Sequence, residues 1–243
     1  MSSILKTLAL ALATAVVASP ASAALVEVTW TGTISSGNDR TGIFGGVRGE
    51  DFDLAGFGYV AVYRFDTGVG SLTGDATIQS LTGGTSFGNG TVPSPAISAE
   101  ITINGMTQAV GSDFFASYER RREPPSGEFA GASHIVSLVQ ATSATQGAID
   151  EIFHRATRND DQLVPSPVLT QSFLRSFGAG DQVTNSNFQF LDGEFGVSAN
   201  LEPTSVDVVP EPSATWLGIA GLGALRACTL RRGRAHRIAM LAS

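Results

Sequence analysis

Residues 97–110 read Ile-Ser-Ala-Glu-Ile-Thr-Ile-Asn-Gly-Met-Thr-Gln-Ala-Val. Ile97, Ala99, Ile101 and Ile103 alternate with Ser98, Glu100 and Thr102, the period-two pattern of a strand with one face buried. Asn104-Gly105 then supplies two residues that tolerate positive φ, as a type I′ hairpin turn requires, before a second strand from Met106 to Val110. Similar segments lie on both sides. Leu25, Glu27 and Thr29 alternate with Val26, Val28 and Trp30, and Leu54–Phe65 is dense in aromatic and β-branched residues. His134–Gln140, Phe188–Phe195 and Ser205–Val209 extend the set. Residues 24–208 hold 24 of the chain's 28 glycines, well above the usual share of about 7%, as many tight turns between short strands demand. The fold expected is mainly β: one antiparallel β-sandwich or jelly-roll-like domain over residues 24–208. One short helix is expected at Ile149–Arg158, where Ile149, Ile152, Phe153 and Ala156 recur at helical spacing. Its acids come early and its arginines late, as the helix dipole favours. Ser166–Phe177 reads equally as a helix or as a bulged strand.

Composition excludes several functions. The chain of 243 residues is 42% hydrophobic and 15% charged, the profile of a folded protein. Residues 24–208 carry nine arginines, no lysine and 21 acids, a net charge of −12. Such a body repels phosphate backbones, so nucleic acid is not an expected partner. With no lysine there, a P-loop has no phosphate-binding side chain. The single cysteine, Cys228, leaves no internal disulfide to form.

The two ends read as addresses. Lys6 and the amino terminus precede an apolar stretch, Leu8–Ala18, and Ala21-Ser22-Ala23 supplies the small-x-small pattern of a signal-peptidase site. Cleavage between Ala23 and Ala24 is expected, removing residues 1–23. At the other end Val209-Pro210-Glu211-Pro212 is followed by an apolar run from Ala214. Arg231, Arg232 and Arg234 then form a basic stop. Ala214–Leu225 would span about 18 Å as helix, short of the ~30 Å hydrocarbon core. Extension to Leu230 gives about 26 Å and takes in Arg226, whose long side chain can snorkel to the headgroups. The positive-inside rule keeps the arginines cytoplasmic and the body outside.

Pro210-Glu211-Pro212, a short apolar helix and a terminal arginine cluster together resemble the PEP-CTERM sorting signal of Gram-negative bacteria. The resemblance covers residues 209–234, and residues 235–243 form an atypical tail beyond the arginines. It implies recognition by a membrane-embedded exosortase that removes the tail. The body from Trp30 through Gly37-Asn38-Asp39 and Gly42-Ile43-Phe44-Gly45 to Tyr63-Arg64-Phe65-Asp66 is similar to the N-terminal part of many PEP-CTERM passenger proteins. That similarity implies a β-rich extracellular protein and carries no particular chemistry.

Candidate chemistry within the body is sparse. His134 and His154 are its only histidines; no H-x-E or HExxH occurs, and Glu151/His154 make half of a di-iron motif without the second copy. No G-x-S-x-G elbow is present, and no cofactor is expected. Glu50-Asp51-x-Asp53, Asp160-Asp161 and Asp192-Gly193-Glu194 are the carboxylate groupings a glycosidase could draw on. Their plainer reading is solvated loop acids. Arg120-Arg121-Arg122 is the one basic run and the tentative ligand site, able to grip an acidic polysaccharide through bidentate contacts or simply to form local ion pairs.

The expected function is therefore an exported cell-envelope or extracellular-matrix protein without catalysis of its own, tied to biofilm exopolysaccharide. Signal peptidase and exosortase would be its transient partners, and the inner membrane would hold the precursor before release to the surface. Two alternatives stay open: a secreted carbohydrate-binding module using Trp30, Tyr118 and the arginine run, and a secreted hydrolase.

Overall fold

The computed structural model describes residues 25–85, 92–111, 115–123, 132–142, 149–179, 181–183 and 185–211. Ala21, Ala23 and Ala24, where signal cleavage is expected, fall outside them, as do Pro212, the segment expected to form an apolar helix, and Arg231, Arg232 and Arg234. All regular structure among the described residues is strand. In chain order the strands are β1 (Leu25–Asp39), β2 (Phe52–Asp53), β3 (Gly58–Asp66), β4 (Ser71–Gly74) and β5 (Ile78–Gly84). β6 (Ala96–Ile103), β7 (Met106–Val110), β8 (Phe115–Arg122) and β9 (Ser133–Thr142) follow. The last four are β10 (Ile149–Arg158), β11 (Phe173–Ser176), β12 (Ser186–Asp192) and β13 (Phe195–Pro210).

Hydrogen bonding joins them into a single antiparallel sheet in the order β4-β5-β8-β9-β10-β12-β13-β1-β3-β6-β7. The two longest strands, β1 and β13, lie side by side in its interior. β2 continues the line of β3 along β1, and β11 continues the line of β12 along β13. The sheet curls so that its inner face meets itself. Trp30 on β1 donates its indole N–H to Ser137 Oγ on β9 at 3.2 Å. Phe65 on β3 stacks on Tyr118 of β8 with centroids 5.1 Å apart. The sequence predicts sheet facing sheet; one continuous curled sheet provides both faces.

Alternation builds the core. Val26, Val28 and Trp30 on β1, Tyr59, Ala61, Tyr63 and Phe65 on β3, and Ala99, Ile101 and Ile103 on β6 are all buried. A fully buried aromatic contributes roughly 2–3 kcal/mol from burial alone, so the aromatic row of β3 anchors the fold. The Asn104-Gly105 turn forms as the sequence predicts, with φ of 53° and 75° and Ile103 paired to Met106. A second two-residue turn falls inside the stretch expected to be one strand: Gly193, at φ 64°, starts the return from Asp192 to Phe195.

The helix expected at Ile149–Arg158 is a strand. β10 pairs with β9 along its whole length, from Ile149↔Thr142 to Arg158↔Ser133, and with β12 from Glu151 to Phe153. Its buried alternation is Ile152, His154 and Ala156. A histidine and an alanine disguised the period of two, and pairing on both sides overrode the helix-favouring charge order. Of the ambiguous Ser166–Phe177, only Phe173–Ser176 is regular, as strand β11; Leu169 is buried within the connecting loop.

Candidate functional site

The Pro210-Glu211-Pro212 stretch, expected to be a sorting motif, begins inside the sheet. β13 runs through Pro210, which pairs with Val26, and the Glu211 N–H donates to the Leu25 carbonyl at 2.8 Å. Proline lacks a ladder donor, yet it is tolerated here because β11 ends its pairing at Phe173↔Val208 and leaves that side of Pro210 open. The first and last described residues, Leu25 and Glu211, are thus hydrogen-bonded neighbours.

The arginine run divides by strand alternation. Arg120 points inward and is fully buried on β8. Its Nε donates to Tyr118 Oη at 2.6 Å, and its Nη1 donates to the Val168 and Gln171 carbonyls at 2.8 and 2.7 Å. The guanidinium lies 4.6 Å from the Phe173 ring centroid, and burial lowers its pKa. Arg120 straps the 168–171 loop to the sheet and presents nothing to a polymer outside. Arg121 pairs with Glu123, and Arg122 with Asp161 and the Pro165 carbonyl. The stacking residues Trp30 and Tyr118 are also fully buried, which overturns the expectation that they form an exposed sugar platform.

Both histidines among the described residues have protein partners. His134 Nε2 pairs with Glu119, whose carboxyl is held below its ordinary pKa chiefly by that bond. His154 is wholly buried on β10. The Tyr63 hydroxyl lies 2.7 Å from its Nδ1, the Tyr59 hydroxyl 3.1 Å from its Nε2, and the Trp30 ring stacks on it at 5.0 Å. Desolvation pushes the imidazole pKa down to about 3 and the Tyr59 and Tyr63 hydroxyls well up, so all three are neutral. The array is a neutral hydrogen-bonded insert in the core.

Each carboxylate grouping is tied up in ion pairs, and the arginine partners of Asp51 and Asp192 lie over the same Phe195 ring. Asp51 pairs with Arg40, Asp160 with Arg158, Asp161 with Arg122 and Asp192 with Arg48. Among the described residues no group of three or more His, Cys, Asp or Glu is placed to hold a metal ion. Asp39, at the end of β1, is fully buried. It accepts from the Thr41 N–H and hydroxyl, the Gly42 N–H and the Phe44 N–H at 2.6–3.0 Å, organising the glycine-rich loop as a capped turn.

The sequence reading missed a cleft of about 540 Å³ on the outer face of β1, β13 and β12. Its side chains include Ser36, Asn38, Asn187, Gln189, Ser198 and Asn200, all polar and uncharged. The signal was present in the outward positions of Asn187-Phe188-Gln189-Phe190 and Ser198-Ala199-Asn200-Leu201. No family model, no curated protein and no solved structure matches this chain.

Proposed function

We propose that the protein is an exported cell-envelope or matrix component, without catalysis of its own, whose C-terminal Pro210-Glu211-Pro212 signal is read by an exosortase that removes the tail. In this reading signal peptidase cuts after Ala23, the apolar tail and Arg231, Arg232 and Arg234 hold the precursor in the inner membrane, and the processed body joins exopolysaccharide outside. The observation that carries it is the ordered tripeptide, apolar run and arginine cluster at one end, opposite a signal-peptide pattern at the other. The junction geometry supports it: the body's strands begin at Leu25 and end with Pro210, and Glu211 hydrogen-bonds to Leu25. Removing segments beyond both points leaves every β1–β13 pair intact. The side-chain chemistry also supports it, since His154 is committed to the core and Glu119 to His134.

The test is replacement of Pro210, Glu211 and Pro212 by alanine in the producing cell. The precursor is expected to accumulate uncut in the inner membrane. Release of a product with unchanged mass refutes the proposal.

A further inference from the structure

We infer that the outer face of β12, β13 and β1 is a binding site for a neutral oligosaccharide. This deepens the matrix part of the proposed function and rests on the body lying outside the cell, but not on how its tail is removed.

Register sets the side chains in two rows across the sheet. One runs Phe153, Asn187, Asn200, Ser36, and the other Glu151, Gln189, Ser198, Asn38, Asp53. Adjacent strands are about 4.8 Å apart, so the four-residue row is about 14 Å long, room for several linked sugars. A register shift in β1 between Ile34 and Ser36 locally sharpens the twist beside the cleft.

The amides are oriented in advance. Asn187 Nδ2 donates to Glu151 Oε1 at 3.3 Å, and Gln189 Nε2 donates to the Ile149 carbonyl at 3.0 Å. A carboxylate and a backbone carbonyl only accept, so each partner fixes the NH₂ end inward and leaves the amide oxygen for a ligand. Asn200 Nδ2 donates to Ser36 Oγ at 2.9 Å, a partner that can itself donate or accept. The result is two fixed acceptors, complemented by the Asn200 and Asn38 amides and the Ser198 hydroxyl on exposed positions. Sugar hydroxyls, each both donor and acceptor, suit that set, and fixing the side chains beforehand lowers the entropy cost of binding. Phe153, outward between the buried Ile152 and His154 and directly opposite Asn187, adds an apolar surface for the C–H face of a sugar ring.

Charge selects against other ligands. No cation lines the cleft, and acids stand at both ends of the second row, Glu151 and Asp53. Arg40, just past the end of β1, is paired with Asp51. The cleft lining itself offers a polyanion no cation, and Glu151 and Asp53 repel one. A peptide adding as a strand needs a free sheet edge, whereas these three strands are interior and paired on both sides.

The full chain, purified in a polyoxyethylene detergent that offers no sugar headgroup, is titrated calorimetrically with cellotetraose, maltotetraose, mannotetraose and galactotetraose, and with polygalacturonate. At least one neutral tetrasaccharide is expected to bind, with little dependence on salt. Gln189→Ala and Asn200→Ala are each expected to weaken it about tenfold, one lost hydrogen bond's worth. Ser198→Trp, on an exposed position, is expected to block the cleft and abolish binding while leaving the thermal unfolding midpoint unchanged. Arg121→Ala is expected to leave affinity unchanged. The inference is overturned by failure of all four tetrasaccharides to bind at millimolar concentration, by binding that Ser198→Trp spares, or by salt-sensitive binding to polygalacturonate alone. Intact mass of the same variants from the producing cell reports tail removal separately, so loss of sugar binding and failure of sorting are distinguishable.

Discussion

Lowering the pH from 7 to 5 is expected to strip about 2 kcal/mol from the stability of the folded body through His154 alone. In the fold this imidazole is enclosed by Trp30, Tyr59 and Tyr63 and takes a proton only near pH 3. In the unfolded chain it protonates around pH 6.5. The unfolded state therefore binds more protons throughout the interval between those values. Stability is full above about pH 6.5 and falls on acidification by about 1.4 kcal/mol per unit until about pH 3. At pH 5 that amounts to about 2 kcal/mol, a sizeable fraction of the 5–15 kcal/mol typical of a domain. The assay is urea unfolding followed by tryptophan fluorescence at pH 7, 6 and 5, for the native chain and for His154→Gln, which keeps a donor and an acceptor but does not titrate. The variant is expected to be less stable at pH 7, because it loses the stacking on Trp30, and to show a shallower pH dependence. The difference between the two proteins is expected to shrink by about 2 kcal/mol between pH 7 and pH 5. A constant difference across that range would refute the reasoning, because it would mean that His154 charges as readily folded as unfolded.

Other substitutions probe the loops and the strand packing. Asp39→Ala removes the acceptor for four donors at Thr41, Gly42 and Phe44 and is expected to cost about 2–3 kcal/mol in urea unfolding. Asp39→Asn turns one oxygen into a donor and is expected to fall between that variant and the native chain. Arg120→Ala leaves the Val168 and Gln171 carbonyls without their guanidinium and is expected to cost about 2–4 kcal/mol; hydrogen exchange should accelerate at residues 168–171. At Gly37 an added Cβ would lie 2.4 Å from the Ala199 Cβ across the β1–β13 pair, so Gly37→Ala is expected to destabilise by about 1–3 kcal/mol. Ala199→Gly in the same chain should recover part of that loss, a non-additivity visible in thermal melts.

Much of the fold was legible because its strands alternate openly. The strand over Ile97–Ile103 and the Asn104-Gly105 turn could be placed from residue type alone, as could the aromatic row of β3, but Ile97 itself is exposed and Ala96 takes the inward position beside a register shift in β3. Ile149–Arg158 could not. Its inward positions are Ile152, His154 and Ala156, and the polar member is admissible only because Tyr59 and Tyr63 arrive from β3, far away in sequence. The turn at Gly193-Glu194 was hidden in the same way, since apolar residues on both sides read as one strand until pairing divides them. The arginine run shows the limit for sites. Three adjacent arginines look like one cationic patch, but a strand sends alternate residues to opposite faces, and Arg120 goes inside. The uncharged cleft escaped notice because asparagine, glutamine and serine on outward positions carry no motif. It becomes visible only when register aligns Asn187, Asn200 and Ser36 across three strands.

Intact mass spectrometry of the protein recovered from its producing cell tests the central claim most directly. The account predicts a chain that begins at Ala24 and has lost the apolar segment with Arg231, Arg232 and Arg234, found outside the inner membrane. A single species of all 243 residues, retaining both ends, would contradict it.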